Sequence, residues 1–115
     1  MAMDRMPAFV VTALLLGLGA LLGTAQNPVA GHKLFLQRCV LCHGQHARGH
    51  TTTGEALGVV DLHSSAVQAA SDAKLATVVE SGTSKMMGFG DMLSKQQIRD
   101  LIAYIRGLTR KPPAK

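Results

Sequence analysis

The chain has 115 residues, 47% of them hydrophobic, and a formal net charge of +5 at pH 7. This length allows one domain and excludes a multidomain protein. With three Phe, one Tyr and no Trp, the chain lacks the combined basic and aromatic pattern of a nucleic-acid-binding protein.

The N-terminus has the pattern of an export signal. Residues Ala8 to Leu22 form an uncharged apolar run, Arg5 precedes it, and Gly23-Thr24-Ala25 supplies the small residues of a cleavage site. The run is too short for a comfortable membrane span. We therefore predict a signal peptide at residues 1–25 and an exported domain at residues 26–115. An uncleaved N-terminal anchor is the alternative.

A first helix is predicted to begin at Asn27-Pro28, because Asn is a good N-cap and Pro suits the first helical position. Gly31, Leu34, Phe35 and Arg38 share one face of this helix. A glycine inside a helix is costly unless another backbone packs closely against it. We therefore expect another helix to cross at Gly31.

The helix leads into Cys39-Val40-Leu41-Cys42-His43-Gly44, a C-x-x-C-H motif. This spacing is the attachment signature of a c-type haem, with two cysteines for thioether bonds and a histidine for the iron. A redox-active dithiol, half of a zinc site and a structural disulfide are alternatives. The first would need a βαβ context and the second another pair of ligands, and the sequence contains neither. We predict one covalently bound haem c.

The middle of the chain is predicted to be largely irregular. The Gly-, His- and Thr-rich stretch from His43 to Gly58 is predicted to be a loop. A capping box at Ser65–Gln68 indicates a short helical turn. A further helix is predicted after Ser71 and is expected to end at Gly82. Its apolar face comprises Leu75, Val78 and Val79.

Thr83 to Leu93 is predicted to be a second irregular segment, and it contains the adjacent methionines Met86 and Met87. A methionine sulfur is a suitable second axial ligand for a haem iron, and Met/His ligation favours electron transfer. His50 or His63 would be alternative ligands, since imidazole also binds iron. A capping box at Ser94–Gln97 opens the last helix. The apolar face of that helix comprises Ile98, Leu101, Ile102, Ile105 and Leu108.

No segment alternates with the period of a strand, so we predict an all-α fold with three main helices and a short helical turn. Loops of this length are unusual in so small a domain. A buried haem would give these loops an apolar surface to pack against.

These motifs resemble the class I c-type cytochromes, in particular the small bacterial monohaem proteins, across the whole domain at residues 26–115. The resemblance rests on the C-x-x-C-H motif, on the methionine loop Lys85-Met86-Met87-Gly88-Phe89-Gly90 and on the helix that follows Gln97. It implies the cytochrome c fold, wrapped around one haem. It also implies that the helices cross at Gly31, next to Phe35 and Tyr104.

The resemblance assigns roles to individual residues. Cys39 and Cys42 would hold the haem, His43 would be the proximal ligand and Met86 the distal ligand. Met86 precedes Phe89 by three residues, as the ligating methionine of the family precedes an aromatic residue, so Met87, where the family often has proline, is the second choice. Thr52 stands where many members have a proline whose carbonyl accepts a hydrogen bond from the proximal imidazole. Four residues are expected to pack on the haem and exclude water: Leu57, Leu62, Phe89 and Leu93.

The resemblance implies electron transfer, by a periplasmic carrier or by a cytochrome subunit of a larger redox enzyme, and no catalytic residues. A five-coordinate haem enzyme, or a sensor of gases or peroxide, is the alternative. We expect redox partner proteins to dock on a basic surface near the haem edge, because such encounters are steered electrostatically. No nucleic-acid partner is expected, and a membrane only if the N-terminal segment is uncleaved.

Overall fold

A computed structural model describes residues 25–110. The predicted export signal therefore lies outside the described residues, except for Ala25. Within 25–110 the chain forms six helices and no strand. Their bounds are α1 Pro28–Arg38, α2 Val40–His43, α3 Thr52–Leu57, α4 Ser65–Gln68, α5 Asp72–Ser81 and α6 Lys95–Gly107. The prediction of an all-α fold with three main helices, here α1, α5 and α6, is confirmed. None of the six helices is long and apolar enough to cross a membrane.

Helix α1 begins as its sequence predicts and crosses α6 at Gly31. The Asn27 Oδ1 accepts hydrogen bonds from the N–H groups of Val29 and Ala30, at 3.1 and 3.0 Å. A β-carbon on Gly31 would collide with the backbone carbonyl of Asp100, so the two helix backbones touch directly. The glycine that is costly within α1 is therefore explained by the close approach of α6.

Helix α6 supplies more buried apolar residues than any other helix. Its capping box is reciprocal: the Ser94 N–H donates to Gln97 Oε1 at 2.8 Å, and the Gln97 N–H donates to Ser94 Oγ at 3.1 Å. Four of the five predicted apolar residues are buried, and Leu108 is half-buried. Because these residues follow the helical period, one face of α6 packs against the rest of the domain.

Hydrogen bonds from Arg106 connect the end of α6 to the segment between α4 and α5 and to the first turn of α5. Its Nε donates to the Asp72 carboxylate at 2.9 Å, and its Nη1 donates to the Gln68 carbonyl at 2.8 Å. Its Nη2 donates to the Ala70 carbonyl. These bonds hold the first turn of α5 against α6.

Two local predictions were wrong. The stretch from His43 to Gly58 is not all loop, because Thr51 accepts a hydrogen bond from the Gly54 N–H at 2.8 Å and caps the short helix α3. Gly54 lies within this helix, where a β-carbon would collide with the carbonyl of Cys42. This glycine permits close packing instead of marking a loop. Helix α4 is capped by Ser64, one residue earlier than predicted.

The segment from Thr83 to Leu93 is irregular, as predicted. Its backbone is anchored to the last turn of α5, because the Phe89 N–H donates to the Val79 carbonyl at 2.8 Å and the Gly90 N–H donates to the Glu80 carbonyl at 3.0 Å. This anchoring fixes where the two methionines lie.

Candidate functional site

The helices enclose an apolar cleft that consists of two adjoining cavities. One cavity measures about 490 Å³ and the other about 320 Å³. We call the larger one the outer cavity and the smaller one the inner cavity, because more of the residues that line the larger one are exposed. Volumes of this size are typical of pockets for small ligands and cofactors. Six residues line both cavities: Cys39, His43, Val60, Val78, Met86 and Phe89.

The C-x-x-C-H motif forms one wall of this cleft. Cys39 lies between α1 and α2, Cys42 and His43 lie in α2, and both thiols line the outer cavity. The two cysteines are not bonded to each other. Burial, and secondarily the neighbouring Cys42, raises the pKa of the Cys39 thiol to about 11. At neutral pH this thiol is protonated, unlike the thiolate of a redox-active dithiol.

His43 presents a neutral imidazole to the cleft. The side chain is half-buried, and burial lowers its pKa below the usual value of 6.5. A neutral imidazole is the form that binds a metal. The His43 Nδ1 is buried and has no hydrogen-bond partner. The Thr52 carbonyl therefore does not act as its acceptor here.

The short helix α2 is tied to the start of α3 by the hydroxyl of Thr51. This hydroxyl oxygen lies 2.8 Å from the Leu41 carbonyl oxygen and 3.1 Å from that of Cys42. Because Thr51 also caps α3, one side chain links the motif to the segment that supplies Leu57. The Thr51 contacts thus help to hold the cysteines in place.

The structure distinguishes between the two methionines. Met86 is half-buried and lines both cavities, whereas Met87 is 63% exposed and lines only the outer one. The hydroxyl of Thr83 accepts a hydrogen bond from the Met86 N–H at 3.1 Å, and the Thr83 N–H donates to the Met86 carbonyl at 2.8 Å. This turn holds Met86 in the same cleft as His43.

The four residues expected to pack on the haem all line the cleft. Leu57 lines the outer cavity, Leu62 and Leu93 line the inner one, and Phe89 lines both. Neither His50 nor His63 lines either cavity. The described residues also contain no cluster of three or more His, Cys, Asp or Glu that could hold a metal ion.

Sequence reasoning missed several lining residues. Val78 was predicted only as part of the apolar face of a helix, and Val60 was not predicted to contact the haem, yet both border the two cavities. Three cations, Arg38, Lys74 and Lys85, also line the cleft. The apolar period of α5 marks Val78 as inward-facing, but it cannot distinguish a helix face that meets α6 from one that meets a cofactor.

The residues of the cleft fit an iron porphyrin. Two unpaired thiols and a neutral imidazole with an unsatisfied buried nitrogen lie on one wall. Met86, whose side chain contains a thioether sulfur, lines the same cleft, and the surrounding residues are mostly apolar. Thiols can form thioether bonds to such a group, while imidazole and thioether are axial ligands for its iron.

Comparisons with known proteins agree with this geometry. The model of the family described as "Cytochrome C oxidase, cbb3-type, subunit III" matches residues 26–105. The solved structure of the "KustC0563 c-type cytochrome" is similar, with a TM-score of 0.64 and 33% identity over 70% of this chain and 98% of that chain. A solved structure of a mutant of Kustc0563 gives a TM-score of 0.62 and 34% identity over 70% of this chain and 99% of that chain. No curated protein matches the chain.

Proposed function

This chain belongs to the c-type cytochromes, within the family described as subunit III of the cbb3-type cytochrome c oxidase, and from this premise we propose that it is a monohaem electron carrier of the periplasm. Membership of this family implies haem-based electron transfer. We further propose that it works either as a free carrier or as the cytochrome subunit of a larger redox enzyme.

We propose that Cys39 and Cys42 hold the haem covalently, while His43 and Met86 ligate its iron. The observation that carries this proposal is that all four residues line one apolar cleft. When bound, the haem supplies a one-electron iron couple. The side chains would supply an imidazole and a thioether as ligands for the iron, and an apolar lining that excludes water. Met/His ligation raises the reduction potential and closes the iron to exogenous ligands.

The composition of the cleft argues against a five-coordinate haem enzyme. Activation of a bound oxygen or peroxide would require polar side chains near the open position on the iron. Among the described residues that line the two cavities, His43 is the only histidine and Arg38 the only arginine. Arg38 is also exposed and directly precedes Cys39, at the motif side of the cleft. We therefore favour electron transfer with both axial positions filled.

The mouth of the outer cavity supports the proposal of a docking surface for redox partners. Three of its apolar side chains are exposed: Leu41 by 74%, Met87 by 63% and Val60 by 48%. Arg38 and Lys85 accompany them, and no described acidic residue lines this cavity. We call these five residues the outer rim. Apolar contact with surrounding positive charge suits a brief encounter with an acidic partner.

The periplasmic location rests on the export signal at residues 1–25. Covalent haem attachment would agree with export, because thiols in an oxidising compartment otherwise tend to form disulfides. Membrane attachment would require that the N-terminal segment remain uncleaved.

The attachment is tested by denaturing the exported protein and asking whether the haem stays with the chain. The wild-type chain should retain haem in a denaturing gel. Cys39→Ala and Cys42→Ala should each leave at most one thioether bond, and the double variant should release all haem. Wild-type protein that loses its haem on denaturation would contradict the proposed attachment.

A further inference from the structure

The inner cavity has one charged side chain at its border. Among the described residues that line it, Lys74 is the only one with a charge at neutral pH, and nearly all the others are apolar. Lys74 is exposed, so its aliphatic stem can border the cavity while the ammonium reaches water. A cation at the mouth of an apolar cavity is suited to an anionic group on an otherwise apolar ligand.

The direction of α5 places Lys74 away from the methionine loop. The last turn of α5 is bonded to that loop through the carbonyls of Val79 and Glu80. Lys74 lies in the first turn, where its N–H donates to Ser71 Oγ at 3.1 Å. At about 1.5 Å per residue, some 7 Å of helix separates Lys74 from Val79. Lys74 therefore lies at the opposite end of α5 from the residues that anchor the methionine loop, while Met86 lines the same inner cavity.

The structure of haem suggests which group of the cofactor would lie near Lys74. Its two vinyl groups and its two carboxylate side chains lie on opposite edges of the porphyrin. If Cys39 and Cys42 hold the vinyl edge, as the proposed function requires, the carboxylates lie at the edge away from the cysteines. Cys39 lines both cavities and Cys42 only the outer one, whereas Lys74 lines only the inner one.

We infer that the Lys74 ammonium pairs with a carboxylate of the bound haem. The inference rests on the proposed covalent attachment. Lysine acts on a carboxylate as a compact charge with three donors, and its flexible stem tolerates some variation in distance. Lys74 is thus a positioning residue, which orients the carboxylate edge and lowers the pKa of the carboxylic acid there.

Neighbouring charges leave Lys74 available for this role. Asp72 is two residues away, but its carboxylate is paired with Arg106 at 2.8 Å. Asp61, in the loop before α4, is bonded to Arg48 and His63. No charged side chain of α6 lines the inner cavity, and Lys74 itself forms no ion pair with another described residue. Among the titratable groups that border the inner cavity, the others are Cys39 and His43 of the C-x-x-C-H motif.

The test is a pH titration of the haem-loaded protein. The nuclear magnetic resonance signals of the haem carboxylate side chains monitor the protonation of each carboxylate. Lys74→Gln should raise the apparent pKa of one carboxylate by about one unit, a tenfold change in its dissociation constant. Lys74→Arg should keep the wild-type titration, since it retains the charge. Lys95→Gln is the matched control, because Lys95 is exposed and lines neither cavity.

A Lys74→Gln titration that matches the wild-type curve, or that shifts no more than Lys95→Gln, would overturn the pairing. Failure of the proposed function would be recognised separately. In that case the wild-type protein would carry no covalent haem, and both proposals would fall. If the wild-type protein carries covalent haem but the Lys74→Gln titration is unshifted, the proposed function still holds. Only the pairing of Lys74 with a haem carboxylate is then wrong.

Discussion

The backbone of Gly31 lies directly against the backbone carbonyl of Asp100, with no side chain between them. Asp100 is buried, and its carboxylate accepts hydrogen bonds from the Asn27 N–H and from Gln96 Nε2, each at 2.9 Å. The N-cap residue of α1 is thus bonded to α6 beside the crossing. Because Cys39 directly follows α1, this crossing also fixes where the motif enters the cleft.

Replacing Gly31 by alanine should separate the two helices. We expect Gly31→Ala to lower the free energy of unfolding by about 2–3 kcal/mol, because a backbone carbonyl cannot yield to a new methyl group as a flexible side chain can. Urea denaturation of the haem-loaded protein measures this change. Gly107→Ala is the control: no atom would lie within 4 Å of its new β-carbon, so alanine should gain roughly 0.5 kcal/mol from helix propensity. Equal stabilities of Gly31→Ala and wild type would contradict a close crossing.

The two methionines should respond differently to substitution. Met86→Ala should lower the reduction potential by a fraction of the roughly 0.8 V that axial ligands span, and it should open the iron to carbon monoxide. Met87→Ala is the matched control and should retain the wild-type potential, because Met87 is exposed and lines only the outer cavity. Voltammetry and carbon monoxide difference spectra report the two effects. The reverse pattern would make Met87 the ligand.

Charge reversal at the outer rim should slow electron transfer to an anion. Arg38→Glu combined with Lys85→Glu should lower the second-order rate of oxidation by ferricyanide at least tenfold at low ionic strength, because the local field would change sign. Added salt should reduce the difference. The control pair is Lys33→Glu with Lys95→Glu, which changes the net charge equally at exposed residues that line neither cavity. Equal rates for the two double variants would show that only net charge matters.

Asp61 should make stability depend on pH in the acidic range. The His63 N–H, and then the His63 ring and the Arg48 guanidinium, hold the pKa of the Asp61 carboxyl below its usual value of 3.8. A lowered folded-state pKa means that the unfolded chain binds the proton more readily. The stabilising contribution is therefore present above pH 3.8 and lost as the pH falls through the folded-state pKa.

Asp61→Asn should accordingly be less stable than the wild type at neutral pH, and the difference should shrink on acidification. The midpoints of urea denaturation at neutral and at acidic pH measure this difference in stability between Asp61→Asn and the wild type. Asp91→Asn serves as the control, because Asp91 is exposed and forms no ion pair within the described residues. A difference between Asp61→Asn and wild type that stays constant with pH would refute a role for the Asp61 charge.

The main helices could be predicted because their signals are local. Asn27 with Pro28, Ser71, and the reciprocal pair of Ser94 and Gln97 mark helix starts through bonds that span only a few residues. The crossing at Gly31 was also predictable, since a glycine inside a helix requires a nearby backbone.

Other features depend on contacts that are distant in sequence. Helix α3 was missed because Gly54 resembles a loop residue until the carbonyl of Cys42 is seen beside it. The border position of Lys74 depends on the direction of α5, which the methionine loop and Arg106 determine. Neither the hydrophobic periodicity nor any motif in the sequence predicts where Gly54 and Lys74 lie in the fold. The cysteines, His43 and Met86, by contrast, are predicted as site residues by motif alone.

We propose above that His43 and Met86 would both ligate the haem iron. The most direct measurement is the optical spectrum of the ferric haem-loaded protein, including the weak near-infrared band of sulfur-to-iron charge transfer, followed by reduction under carbon monoxide. If both residues ligate the iron, the sulfur band should be present and carbon monoxide should leave the reduced spectrum unchanged. A missing sulfur band together with rapid carbon monoxide binding would contradict this ligation and would indicate an open iron.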